Sequence, residues 1–362
     1  MNKRLHIALE LERLRRYNLK KLHPLRQLFW ESTLRCNVSC RHCGSDCRQE
    51  AQAADMPKED FLRVLDQSVL PNVNPHEVMI IISGGEPTMR HDLCDIGMEL
   101  KKRQFPWGMV TNGMLLNEAL FKKLRQAGML SLTISLDGLE ADHNWMRGNR
   151  LAFQNAVRAI SLAAADKWLT WDVVTCVNRR NVKYLPELQK FLWSLGVRRW
   201  RLFGIDPMGR AKDDPELLLT DDEFRYLLDF IKSEREAHRR ASYSCEGFLG
   251  EYEGQVRDHL YQCSAGISVA SILIDGNISA CTSIRGKYYQ GNIYKDDFWQ
   301  VWEDGFDNYR NRQWMRKKEP CMSCNVFRYC EGNGMHLREE NGELMLCHYR
   351  KLQNSNSYVR AN

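Results

Sequence analysis

The sequence predicts an α/β protein in two parts, a partial (β/α)6 barrel followed by a small, irregular, cysteine-rich domain. Three observations predict it. Strand-like and helix-like segments alternate from residue 27 to residue 205, the pattern turns short and irregular after about residue 240, and cysteines gather in two clusters, one in each part. The divisions read from the pattern are 1–26 for an N-terminal basic helix, 27–239 for the barrel and 240–362 for the cysteine-rich domain.

The first segment carries Lys3, Arg4, Arg13, Arg15, Arg16, Lys20, Lys21 and Arg26, with helical apolar spacing at Ile7, Leu9, Leu11 and Leu14. This predicts a basic amphipathic helix packed on the body with its charges in solvent; an acidic peptide or an anionic membrane surface is the alternative contact. Strands are expected at Gln27–Leu34, Glu77–Ser83, Trp107–Thr111, Ser131–Leu136, Leu169–Val177 and Arg198–Ile205. Helices are expected near 57–70, 91–103, 117–127, 151–166 and 184–195, which makes βα units and a parallel sheet with its helices outside. Six units are too few to close an eight-stranded barrel, so the sheet should stay open. Residues 206–220 read as a loop and 221–239 as a further helix. Beyond them, short segments rich in Gly, Cys and aromatics lack the makings of a large apolar core, and metal centres are expected to hold them.

Composition narrows the function. The 362 residues are 43% hydrophobic and 27% charged, ordinary for a globular protein. No run reaches the roughly 18 apolar residues of a membrane span, and the charged start is unlike a secretory signal, so a cytoplasmic, reducing location is expected. A formal charge of +6 is too mild to point to nucleic acid. Thirteen cysteines in that setting cannot all pair within one chain, and the clustered ones read as metal ligands. Cys94 and Cys176 lie among apolar residues and read as small buried hydrophobes.

Cys36, Cys40 and Cys43 follow the first strand at its C-terminal end, the end where parallel βα sheets build their sites. Three such thiolates can ligate three corners of a four-iron cubane and leave one iron open. Cys47 is a neighbour the three-Cys spacing does not need. A structural zinc site of the three cysteines with His42 is the competing reading, weakened because a ring between Cys40 and Cys43 would point away from converging sulfurs. Gly84-Gly85-Glu86-Pro87 closes the second strand, where glycines allow close approach to a ligand and Glu86 can accept from an ammonium. Thr111-Asn112-Gly113 and Ser135-Leu136-Asp137-Gly138 end the next two strands, and Arg147 follows in a polar segment; turn and capping chemistry explains such residues equally well. Asn178 closes the fifth strand as a weaker candidate.

The C-x3-C-x-H-C string after the first strand, followed in order by these motifs, resembles the radical S-adenosylmethionine (SAM) superfamily over roughly residues 27–205. The resemblance implies a TIM-like partial barrel whose open iron is chelated by SAM, and reductive cleavage of SAM to a 5′-deoxyadenosyl radical. It implies that His42 packs near the adenine, that Gly84, Gly85, Glu86 and Pro87 hold SAM's amino group, that Ser135 and Asp137 approach the ribose, and that Arg147 pairs with the SAM carboxylate. Asn112 joins this SAM-binding set, and a low-potential donor such as flavodoxin or ferredoxin supplies the electron.

Cys263, Cys281, Cys321, Cys324, Cys330 and Cys347 resemble the SPASM extension of peptide-modifying members, which implies one or two auxiliary iron–sulfur clusters. Cys321, Cys324, Cys330 and Cys347 would hold one completely, with zinc as the rival for four thiolates. Gly334 stands where that pattern has another cysteine, so a cluster on Cys263 and Cys281 is short of a ligand, which Cys245 is free to supply. The function expected is radical modification of a peptide or small-protein side chain. Radical dehydrogenation or isomerisation of a small molecule (a sugar, alcohol or nucleotide) is the second reading, and a non-catalytic iron–sulfur electron carrier the third.

Overall fold

A computed structural model describes residues 2–354 except 52, 213, 245, 285, 287 and 340; Cys245 therefore lies outside the described residues. In chain order the elements are α1 (Lys3–Leu22), β1 (Gln27–Thr33), α2 (Lys58–Val64, extended by a π turn at Leu65–Val69), β2 (Met79–Gly84), α3 (Leu93–Lys102), β3 (Trp107–Thr111), α4 (Glu118–Gln126) and β4 (Met129–Ser135). There follow α5 (Glu140–Arg147), α6 (Ala152–Ala165), β5 (Thr170–Val177), α7 (Leu185–Ser194), β6 (Trp200–Gly204), α8 (Asp221–Glu236), β7 (Ala241–Tyr243), β8 (Val269–Ile272), β9 (Asn277–Ser279) and β10 (Gly291–Asn292).

The six expected strands form and lie side by side in one parallel sheet. Two short strands from beyond residue 240 continue it: β7 pairs parallel with β6, and β8 pairs parallel with β1. The hairpin β8–β9 and the short β10 extend that edge, so the order is β10-β9-β8-β1-β2-β3-β4-β5-β6-β7 and the sheet is not closed. Alternate strand residues turn outward to the helices, because successive side chains of a strand leave opposite faces. Leu28 and Trp30 of β1 are fully buried there, with the Trp30 ring stacked on Phe61 of α2 at 4.3 Å between centroids. Burying rings of this size contributes roughly 1.5–3 kcal/mol each, which fixes the strand's register and hence what its other face presents. That other face puts Glu31, opposite Ser83 of β2, on the open side of the sheet.

The N-terminal helix packs differently from its apolar spacing. Leu9 is buried, but Ile7, Leu11 and Leu14 are more than half exposed. Charged contacts seat the helix instead: buried Arg16 donates to the Tyr329 carbonyl at 2.8 Å, and Lys20 pairs with Glu331 at 2.6 Å. After β7 the chain is held by a buried cation, since Arg257 pairs with Glu253 at 2.9 Å and donates to the carbonyls of Ser244 and Gly247. Among the described residues no helix is long and apolar enough to cross a membrane.

Candidate active site

The C-terminal ends of β1 to β4 deliver the predicted residues to one place. Cys36, Cys40 and Cys43 line a cavity of about 180 Å³ together with His42, Gly84, Gly85, Glu86, Asn112, Ser135 and Arg147. The cysteine loop is closed on itself by Cys36 N–H donating to Arg48 O, and tied to α5 by Ser39 and Arg41 N–H groups donating to Arg147 O and Met146 O.

The glycines serve the backbone of β1 more than a ligand. A Cβ at Gly84, whose φ is +130°, would lie 2.1 Å from Thr33 O, and one at Gly85 would lie 2.2 Å from Arg35 O. Gly85 and Glu86 N–H groups donate to those same carbonyls, so only hydrogen atoms fit where the strand ends cross. Glu86 then turns inward. Its Oε1 accepts from Thr88 N–H, Thr88 Oγ1 and Thr111 Oγ1, and its Oε2 accepts from Asn112 N–H at 2.7 Å. Burial raises its pKa against these bonds. The carboxylate thus locks β2 to β3 while lining the cavity.

Asp137 stands behind Arg147. Its Oδ2 accepts from Arg147 Nε at 2.6 Å and its Oδ1 from Cys176 N–H, while its own N–H donates to His143 Nδ1. Arg147 Nη1 reaches Cys40 Sγ at 3.5 Å, so the guanidinium bridges a buried carboxylate and a cysteine sulfur. Asn112 Nδ2 lies 3.8 Å from Cys36 Sγ and 2.8 Å from Asn37 Oδ1. The neutral His42 ring, lowered to about 4 by burial, keeps Nδ1 buried with no hydrogen-bond partner among the described residues. Its ligand atoms lie within 4.8 Å of those of Asp137 and Cys176. Asn178 caps its own turn, accepting from Arg180 and Asn181 N–H groups.

These residues fit an iron–sulfur cluster. Three sulfurs share one wall, and burial pushes Cys36 up to about 12 and raises Cys40 as well. Thiols so enclosed ionise against a compensating cation, which cluster iron supplies. Cys47 gives hydrogen bonds instead of a fourth ligand's position: it donates to Cys43 Sγ and holds that thiol well below the usual range. Sequence reasoning missed Arg210, which comes from the irregular segment after β6, lines the same cavity and donates to Ser39 Oγ and Cys47 O.

The second cysteine set separates into two groups. Cys321, Cys324, Cys330 and Cys347 line one small cavity of about 30 Å³ beside Phe327 and Tyr349, and Arg338 Nη2 donates to Cys321 Sγ at 3.2 Å. Four thiols on one cavity fit a complete cluster. Cys263 and Cys281 lie elsewhere, close enough that charge on Cys263 raises Cys281. Between the barrel mouth and this C-terminal part opens a chamber of about 450 Å³, sharing Gly84 with the cavity at Cys36, Cys40 and Cys43.

The radical SAM superfamily model matches residues 30–192, and a SPASM iron–sulfur cluster-binding domain matches residues 263–325. An AdoMet-dependent heme synthase of Methanosarcina barkeri is 26% identical over 326 residues, 85% of this chain and 90% of that protein. The mycofactocin maturase MftC of Mycolicibacterium smegmatis is 28% identical over 317 residues, 85% of this chain and 77% of its own. Among solved structures, anSMEcpe with bound AdoMet and a peptide superposes with a TM-score of 0.71 at 21% identity, over 93% of this chain and 97% of that one, a likeness of fold.

Proposed function

We propose, from the premise that the chain belongs to the radical SAM superfamily and carries a SPASM iron–sulfur domain, that it modifies a peptide or protein side chain by hydrogen abstraction. Its cofactors are SAM, the 4Fe–4S cluster that binds it, and auxiliary iron–sulfur. When bound, that first cluster supplies the electron that cleaves SAM, and the 5′-deoxyadenosyl radical so formed takes a hydrogen atom from the substrate. The protein's own residues orient and shield. Arg147, fixed by Asp137, offers its remaining donors to a carboxylate. Asn112 and Ser135 present polar groups at the strand ends, and the packed glycine turn excludes water beneath them.

The observation that carries the peptide reading is the shape of the chamber beside this site. Its floor is the buried carboxylate of Glu31 next to Ser83, and its rim is exposed at Lys212 and Glu339. A substrate that sends one side chain inward while its backbone stays at the rim suits that arrangement. The relationship to a mycofactocin maturase supports the same reading. A small-molecule substrate is the second reading, favoured by the heme synthase relatives. A low-potential donor such as flavodoxin or ferredoxin is the redox partner the reading needs.

Anaerobic protein reconstituted with iron and sulfide, then given dithionite and SAM, should release 5′-deoxyadenosine, with turnover stimulated by a substrate peptide that changes mass. Replacing Cys36, Cys40 and Cys43 together by Ala should remove about four irons per chain and all SAM cleavage. Cleavage surviving in that variant would refute the site. Stimulation by an iron porphyrin and by no peptide would refute the peptide reading alone.

A further inference from the structure

We infer that this chain carries two iron–sulfur clusters and not three: the second auxiliary position, at Cys263 and Cys281, is closed by His336 and Arg312 and serves as wall to the substrate chamber.

The first observation is at Gly334. Its backbone, with φ −66° and ψ 141°, is one any L-residue adopts, so conformation does not demand glycine. Space does. A Cβ there would lie 2.6 Å from His336 Cε1 and 2.9 Å from Nδ1, so the imidazole fills the volume into which a side chain at 334 would project. A thiol ligand and this ring exclude each other.

The ring is held in that position from the barrel side. His336 Nε2 lies 3.4 Å from Asp206 Oδ2, an acidic residue two positions beyond β6, and both side chains are nearly enclosed. His336 also lines the 450 Å³ chamber, at the opposite part of its wall from Gly84. The histidine therefore joins the two parts of the molecule by an ion pair at a place where metal ligation would otherwise join them.

The third observation is a cation beside the sulfur. Arg312 is buried, with Nε donating to Tyr309 O and Nη1 to Asn333 O, each at 3.0 Å, and its Nη2 has no hydrogen-bond partner among the described residues. Asn333 adjoins Gly334, so the guanidinium is fixed to the same turn. The guanidinium faces the Cys263 thiol. An arginine beside a cysteine sulfur occurs at Cys40 and Cys321 as well, so the number of thiols, together with the His336 ring, decides the assignment. Among the described residues two thiols, Cys263 and Cys281, stand at this position, fewer than the three or four that a cubane cluster takes.

The test is metal stoichiometry, which needs no catalytic turnover. Wild-type holoprotein reconstituted anaerobically should hold about eight irons and about eight sulfides per chain, with Mössbauer intensity of cubane clusters only. The double variant Cys263→Ala, Cys281→Ala should still hold about eight, Cys245→Ala likewise, and Cys324→Ala about four. Ten to twelve irons in the wild type, or loss of two or more irons on replacing Cys263 and Cys281 or Cys245, would overturn the inference. The wild-type count decides even if a variant fails to fold.

Discussion

The two cysteine sets proposed as complete ligand sets are positioned by different means. Around Cys36, Cys40 and Cys43 most neighbours grow from the ends of strands whose place the sheet fixes, with Arg147 added from α5 and Arg210 from the segment after β6. Glu86 is tied to Thr88, Thr111 and Asn112, and Asp137 to Arg147, Cys176 and His143. Around Cys321, Cys324, Cys330 and Cys347 the elements are short: a four-residue helix, Phe327–Cys330, followed by left-handed Glu331 and Asn333, a 3-10 turn at Met335–Leu337 and a helix over His348–Asn354. Arg338 is the strut of that region, joining Cys321 Sγ to the carbonyls of Gly332 and Gly342. The first site is built on the sheet. The second is held by short segments, with Met315, Phe327 and Met335 packed into the main core and Val326, Tyr329 and Cys330 into a smaller one, and we propose that its metal adds to that packing as folding free energy.

Removing iron should separate the two most sharply. After anaerobic chelation, limited proteolysis read by mass spectrometry should cut within residues 318–347 first, while fragments spanning 27–204 persist. At small metal-held folds the bound metal is worth on the order of 10 kcal/mol. Simultaneous loss of both regions would show that the barrel also depends on its cluster.

A change within the barrel sharpens the comparison at a smaller scale. Asp137→Asn keeps the acceptor for Cys176 N–H but leaves Arg147 buried without its counter-charge. Breaking a buried pair from one side costs about 3–5 kcal/mol, and SAM affinity should fall as Arg147 loses its anchor. Asp214→Asn removes the partner of Arg41, whose side chain is 43% exposed, and should cost about 0–1 kcal/mol. Thermal unfolding of the two variants, with SAM binding by titration, checks both. Equal losses would contradict a site built by buried pairs.

The same contrast explains what could be read from the sequence. Strand ends were legible because turn residues interrupt apolar runs there: Gly84–Glu86, Asn112, Ser135 and the Cys36–Cys43 loop reach one cavity, while Pro87 and Asp137 do not line it. The four sheet strands past residue 240 were not, because Ala241–Tyr243, Val269–Ile272, Asn277–Ser279 and Gly291–Asn292 are too short to show a period. Arg210 was hidden in an irregular segment, where no period connects a residue to a face. The inward turn of Glu86 follows from the side chains at 88, 111 and 112, a tertiary fact. In α1 the apolar spacing misled, since Arg16 and Lys20 find partners on the C-terminal part and Ile7, Leu11 and Leu14 do not.

The smallest expected effect concerns acid. His143 on α5 is buried, its Nδ1 accepts the Asp137 N–H at 2.9 Å, and its Nε2 has no hydrogen-bond partner among the described residues. Burial lowers its pKa to about 3, whereas an unfolded histidine titrates near 6.5. Between those values the unfolded chain binds the proton and the folded one does not. The neutral ring's contribution is therefore complete above about pH 6.5 and is lost as pH falls, by at most about 1.4 kcal/mol per pH unit. Thermal unfolding between pH 7.5 and 5.5 should show this slope, and His143→Gln, which keeps an acceptor for Asp137 N–H, should remove His143's share of it and leave that of the buried His42 and His348, each lowered to about 4. Because the effect belongs to the barrel's own side chains, it should persist in the variant lacking Cys36, Cys40 and Cys43. A slope that vanished with the cluster would assign the acid sensitivity to the metal, and the barrel site would then resemble the C-terminal one more than its geometry says.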